Sequence, residues 1–87
     1  MAQPEKTFRI GYVSASVFRN EVSVGDGDET RTFRAVSLQR RYRDDDGDWK
    51  NSTSFGLSDL PSAIRVLELA QRHVESIEAE VKSHGGE

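Results

Sequence analysis

The C-terminal third of the chain places the tightest constraint on its fold. Leu60, Ala63, Leu67, Ala70, Val74, Ile77 and Val81 recur at alternating steps of three and four, the spacing that gathers apolar side chains on one stripe of an α-helix. Ser58 or Asp59 is suited to cap such a helix. Pro61 falls in its first turn, where the missing N–H costs nothing. The spacing predicts one helix over residues 59–83, about 37 Å long at 1.5 Å per residue. Ile64 and Leu69 widen the stripe in its first half, and beyond Val74 only the narrow seam continues. A helix with one apolar stripe needs a second layer to cover it.

The residues upstream supply that layer as strands. The segment "TFRIGYVSASVFRNEV" (7–22) is rich in β-branched and aromatic residues and holds no proline. It is too long for a typical strand of ~5–6 residues, so Gly11 marks a bend, bulge or break. "SVGDGDE" (23–29) reads as an acidic connection, "TRTFRAVSLQRRYR" (30–43) as a second long strand and "DWKNSTSFG" (48–56) as a third. Short connections force neighbours to run antiparallel. The expected fold is α+β: a meander sheet of three to four strands packed by one long C-terminal helix. Residues 7–83 form the domain, with 1–6 and 84–87 as flexible termini. A sheet of three or four strands is narrower than the helix is long, so the second half of the helix overhangs. Its seam of Leu67, Ala70, Val74, Ile77 and Val81 is then expected to meet the same seam of a second copy across a two-fold axis. An 87-residue chain gains most from such added burial.

Between the second and third strands lies "RRYRDDDGDWK" (40–50), whose clustered aspartates suggest a calcium loop. Counted from Asp44, however, Gly47 falls fourth rather than sixth, and the twelfth position holds Phe55 rather than a bidentate glutamate. A hairpin tip over 44–48 needs only turn-tolerant aspartates and a glycine free to take positive φ, so no metal site is assigned. The chain has no cysteine, hence no disulfide, thiol nucleophile or zinc–thiolate site. "MAQPEKTF" lacks the pattern of a secretory signal, and no stretch approaches the ~18 apolar residues of a membrane span. A cytoplasmic location, with nucleoid association open, is the expectation.

Strand alternation sorts side chains between two faces. One parity joins Val13, Ala15 and Val17 to Val36, Leu38 and Tyr42, with Arg40 as an amphipathic member, and to Trp49, Thr53 and Phe55, with Asn51 among them. The other joins Ser14, Ser16 and Phe18 to Phe33, Ser37, Gln39, Arg41 and Arg43, and to Lys50, Ser52 and Ser54. The net charge of −3 is unevenly spread: residues 31–43 carry five arginines and no acid. Cations along strands neutralise phosphates, and exposed aromatics let bases stack irrespective of sequence. The alternative turns Phe18 and Phe33 inward at a bulge and leaves Arg41 in a surface ion pair. Catalysis finds little footing, since His73 and His84 are the only imidazoles and neither has a nucleophile at useful spacing.

The ordered set of "FRIG" opening a strand, "RRYRD" closing one, the acidic turn and lysine of "DDDGDWK", and "SFGLS" running into the final helix resembles the core of the transcriptional positive cofactor four family and its bacterial relatives. The resemblance covers roughly residues 8–75. It implies a curved antiparallel sheet backed by one helix, a homodimer formed through helices and strand ends, and single-stranded DNA crossing the open sheet face. By position, Arg19 matches a basic residue ending the first long strand, Tyr42 or Arg43 an aromatic before the turn, and Lys50 the lysine after it. The chain departs from the family in "NSTSFG", which replaces a glycine- and lysine-rich stretch, and in a longer "GDGDE" loop.

Together these lines predict a non-enzymatic, largely sequence-independent binder of single-stranded DNA or RNA. Its expected contacts are Phe18, Arg19, Phe33, Gln39, Arg41, Tyr42, Arg43, Lys50 and Ser52, with no cofactor and no small-molecule substrate. The alternative is a protein-interaction module that uses the helix seam or a sheet edge.

Overall fold

The computed structural model describes residues 3–25, 27 and 29–79. The chain forms β1 (Lys6–Ile10), β2 (Val13–Ser23), β3 (Thr30–Arg43) and β4 (Trp49–Ser52), then a 3-10 turn (Leu57–Asp59) and α1 (Leu60–Glu78). The four strands make one antiparallel meander in the order β1-β2-β3-β4. This is the expected α+β arrangement, with four strands rather than three because the first long segment breaks at Gly11. Ile10 and Val13 close a two-residue turn, and Gly11 takes a φ of 62° while no non-glycine residue among the described residues has positive φ. A positive φ at the first central position alone marks a type II′ turn, whose twist matches that of the flanking strands.

The helix lies over β1 and β2. Val13, Ala15 and Val17 from β2 meet Ala63, Val66 and Ala70 from α1, and Phe8, Leu38, Phe55 and Val74 pack around them. Alanine at three of these six positions lets helix and sheet approach closely, and it also keeps the core small. Asp59 does not cap α1 with its side chain; its Oδ2 instead accepts the Gly56 N–H at 2.9 Å. Arg40 faces the helix side and donates from Nε to the Ser54 carbonyl at 2.9 Å, with Asp59 Oδ2 at 3.5 Å. It thereby ties the segment between β4 and α1 to the sheet, which explains an arginine at an apolar-parity position.

Three expectations are corrected. Residues 1–6 do not all belong to a tail: Lys6 starts β1, and the Glu5 N–H donates to the Val17 carbonyl. The Glu5 carboxylate also accepts from Arg34 (3.0 Å) and meets His73 Nε2 (2.7 Å), joining β3 and α1. The helix does not overhang along its whole second half, because His73 packs edge-on against Phe8 with ring centroids 6.1 Å apart. Nor is the whole seam open to a second copy. Ala70 is 1% exposed within its own chain and Val74 packs beside it, which leaves Leu67 and Ile77 exposed. Val81 and the expected end of the helix at 83 lie outside the described residues.

Candidate nucleic-acid interface

Strand pairing decides which side chains share the face that α1 leaves uncovered. Val13, Ala15 and Val17 are buried beneath the helix, so residues of the opposite parity on β2, and those paired with them, point away from it. Across the sheet this open face presents Arg9 on β1, Phe18 on β2, Phe33, Gln39, Arg41 and Arg43 on β3, and Trp49 and Asn51 on β4. Arg31, paired with Val22, belongs to the same face. The strand residues of this face include four arginines and no carboxylate, although the chain as a whole has 15 acidic residues against 12 basic ones.

The predicted contact set therefore divides. Phe18, Phe33, Gln39, Arg41 and Arg43 share the open face. Arg19, Tyr42, Lys50 and Ser52 point to the helix side, since Arg19 follows the parity of Val17, Lys50 pairs with Tyr42, and Ser52 pairs with Arg40. Arg19 and Tyr42 take that side from the alternation of their own strands, whereas for Lys50 and Ser52 the cause is the register of β4. A tip over 44–48 makes Arg43 and Trp49 the closing pair, and directly opposed residues share a face. Lys50 thus takes the parity of Tyr42, and Trp49 leaves the apolar face expected for it. Arg19 is held by Glu21 on its own strand at 2.7 Å, and Lys50 Nζ lies 3.2 Å from Asp44. Both cations are partly neutralised as well as misplaced for the open face.

Trp49 has its own surroundings at the end of the sheet. The Arg41 guanidinium sits 4.5 Å from its ring centroid and that of Arg43 5.3 Å. The Tyr12 ring lies 5.6 Å away, tilted by 34°. Guanidinium stacking on indole stabilises such a cluster without burial, and Trp49 stays 45% exposed. Neither Arg41 nor Arg43 forms an ion pair among the described residues. Sequence reasoning missed Tyr12, Trp49, Arg9 and Arg31. Counting back from the hairpin tip would have found Trp49; Tyr12 is positioned by a turn whose exact place composition alone does not fix.

The aspartate run is a turn, as expected. Asp44 Oδ1 accepts the backbone N–H groups of Asp46 (3.0 Å) and Asp48 (2.9 Å). The Gly47 N–H donates to the Asp44 carbonyl, with Gly47 at a φ of 84°. The bond from the Asp48 N–H, reinforced by Lys50, holds the Asp44 carboxyl below its ordinary pKa. Asp44, Asp46 and Asp48 do bring carboxylate oxygens within 4.8 Å of one another, but Asp44 is already engaged by the turn and by Lys50. No helix among the described residues is long and apolar enough to cross a membrane. No protein-family model, curated protein or solved structure matches the chain.

Proposed function

We propose that this chain binds single-stranded nucleic acid on the open face of its sheet, without catalysis and with little sequence preference. The observation that carries the reading is the face itself, whose strand residues carry four arginines and no carboxylate, interleaved with Phe18, Phe33 and Trp49. Arginines along strands meet a phosphate backbone, and the rings offer stacking that any base can use. His73 is engaged with Glu5 and Phe8, which supports a structural rather than a catalytic imidazole. A cytoplasmic protein allied to the transcriptional positive cofactor four family, in its bacterial form, accords with this reading.

The proposal includes a homodimer, with its contact centred on the N-terminal half of the helix and keeping Leu67 of the expected seam. Leu60, Ile64 and Leu67 follow one another at steps of four and three, and Leu57 precedes them in the 3-10 turn. All four are exposed, Leu57 at 86% and Ile64 at 58%. Docking of a different protein on this flank is the second reading, favoured by the same exposed side chains.

Fluorescence anisotropy of a labelled, unstructured oligonucleotide at two salt concentrations tests the function. Binding should weaken steeply as salt rises, because each neutralised phosphate of a single strand adds a slope of about −0.7 in log K against log salt. Absence of binding even at low salt would overturn the nucleic-acid reading and favour a protein partner.

A further inference from the structure

β3 outruns its neighbour. Its pairing with β2 stops at Arg40 opposite Val13, and the Arg41 N–H donates back to the Tyr12 carbonyl at 2.8 Å. Beyond that point Tyr42 and Arg43 are flanked only by β4. In an antiparallel strand, alternate residues direct their main-chain groups to the same side. The main-chain groups of Arg43 therefore face the same edge as those of Arg41, where no β2 residue stands opposite. At this edge lies a depression of about 280 Å³, lined by Tyr12, Arg40–Arg43, Trp49 and Asp59. Its one carboxylate, Asp59, is occupied by the Gly56 N–H and by Arg40, so the unpaired charge of its walls is that of Arg41 and Arg43.

We propose that this depression is a nucleotide pocket, which takes one nucleoside monophosphate either free or as the phosphorylated end of a single strand. The Tyr12 ring, 61% exposed, and the uncovered part of Trp49 offer the base a stacking surface. Guanidinium groups held against Trp49 keep in-plane N–H donors for a phosphate, the geometry that favours bidentate recognition. The free edge at Arg43 adds a main-chain donor. At about 280 Å³ the depression lies just under the ~300–1,000 Å³ usual for ligand pockets, a size that limits it to a single nucleotide rather than a run of them. The strand-end form rests on the open-face reading above; the free-nucleotide form does not.

Trp49 is the only tryptophan and stands where this depression meets the open face, so its fluorescence is read with monomeric ligands and the oligomers are followed by anisotropy. Adenosine 5′-monophosphate should quench it saturably, with adenosine about tenfold weaker because a charge-assisted phosphate contact is lost. Arg43→Gln should remove that difference, and Tyr12→Ala should weaken both ligands. In an anisotropy competition, a 5′-phosphorylated oligothymidylate should outcompete its hydroxyl-ended counterpart. Quenching by the monophosphate without any end preference in the oligomer assigns the pocket to free nucleotides. Oligomer binding that ignores the end phosphate, with Trp49 unmoved by the monophosphate, overturns the pocket and leaves the open-face reading standing. Quenching by the monophosphate with no oligomer bound at low salt does the reverse. Equal quenching by free phosphoserine would overturn the nucleotide assignment.

Discussion

Glu5 shows how much a single residue outside the expected domain can bind together. Its carboxylate is bonded by Arg34 of β3 and meets His73 of α1, while its N–H pairs with β2. The hydrogen bond from Arg34, and then that from His73, lowers its pKa below the ordinary glutamate value. A carboxylate with a depressed folded pKa contributes stability that is fully present above its unfolded pKa and lost as pH falls through the folded one. Glu5→Gln should therefore lower the melting temperature near neutral pH. The gap from the parent should narrow as pH falls below about 4, near the usual glutamate value and under it. A gap that stays constant across the acid range would show that the ionised carboxylate is not what matters. None of this was legible in the sequence, because Glu5 finds its partners 29 and 68 positions away. Asp44 is the opposite case: its acceptors and donors lie within six residues, and the turn was legible from spacing alone. With that carboxylate engaged by the turn, calcium should leave the melting temperature unchanged. A saturable rise at sub-millimolar calcium would contradict the turn assignment and point to a metal site.

Among the elements, the strands and the helix were legible because each carries its own periodicity, whereas the face of β4 depended on a pairing. β3 begins and ends where its composition predicted, at Thr30 and Arg43. β4 has only four residues, too few for alternation to declare a side, and Trp49 drew the assignment inward because large aromatics are usually core. Cation–π contacts with Arg41 and Arg43 make an exposed position acceptable instead. The helix seam divides for a related reason, with Ala70 buried against the sheet and Leu67 and Ile77 left exposed. Heptad spacing identifies a stripe but not its partner, and here Ala63 and Ala70 let the sheet itself take part of it. A second element-scale feature is the far end of the β2–β3 hairpin. From Arg19 to Ser23 and Thr30 to Arg34 the ribbon is exposed or half-buried on both faces, lying past the last buried residue of β2, Val17. Two-stranded ribbons are marginally stable alone. Hydrogen exchange should accordingly open the amides of 20–23 and 30–33 well before those of 13–17 and 36–40. Uniform protection along both strands would indicate a covering partner, such as a second copy.

At the scale of the whole molecule the chain is a thin plate, 58 × 37 × 16 Å, with a radius of gyration of 17.2 Å. A compact domain of 87 residues would have about 12 Å. The small core and the exposed flank of Leu57, Leu60, Ile64 and Leu67 both favour association. Sedimentation should find a dimer at micromolar concentration, and Ile64→Asp should convert it to monomer by placing an unpaired charge in the contact. A parent protein that is already monomeric would count against the homodimer. The general layout was legible, since a basic stripe on one strand and acids elsewhere could be read directly from the sequence. Which cations meet on one surface was not, because that depends on two hairpin registers acting together. The central claim is that the open face, and not the helix side, holds the strand. The most direct test compares two charge-removal pairs in salt-dependent binding of one oligonucleotide. Arg41→Gln with Arg43→Gln should weaken binding and flatten the slope of log K against log salt by up to about 1.4, two single-strand phosphate contacts. Arg19→Gln with Lys50→Gln removes the same formal charge from the helix side and should leave the slope nearly unchanged. Equal flattening by both pairs, or flattening by the helix-side pair alone, would contradict the account.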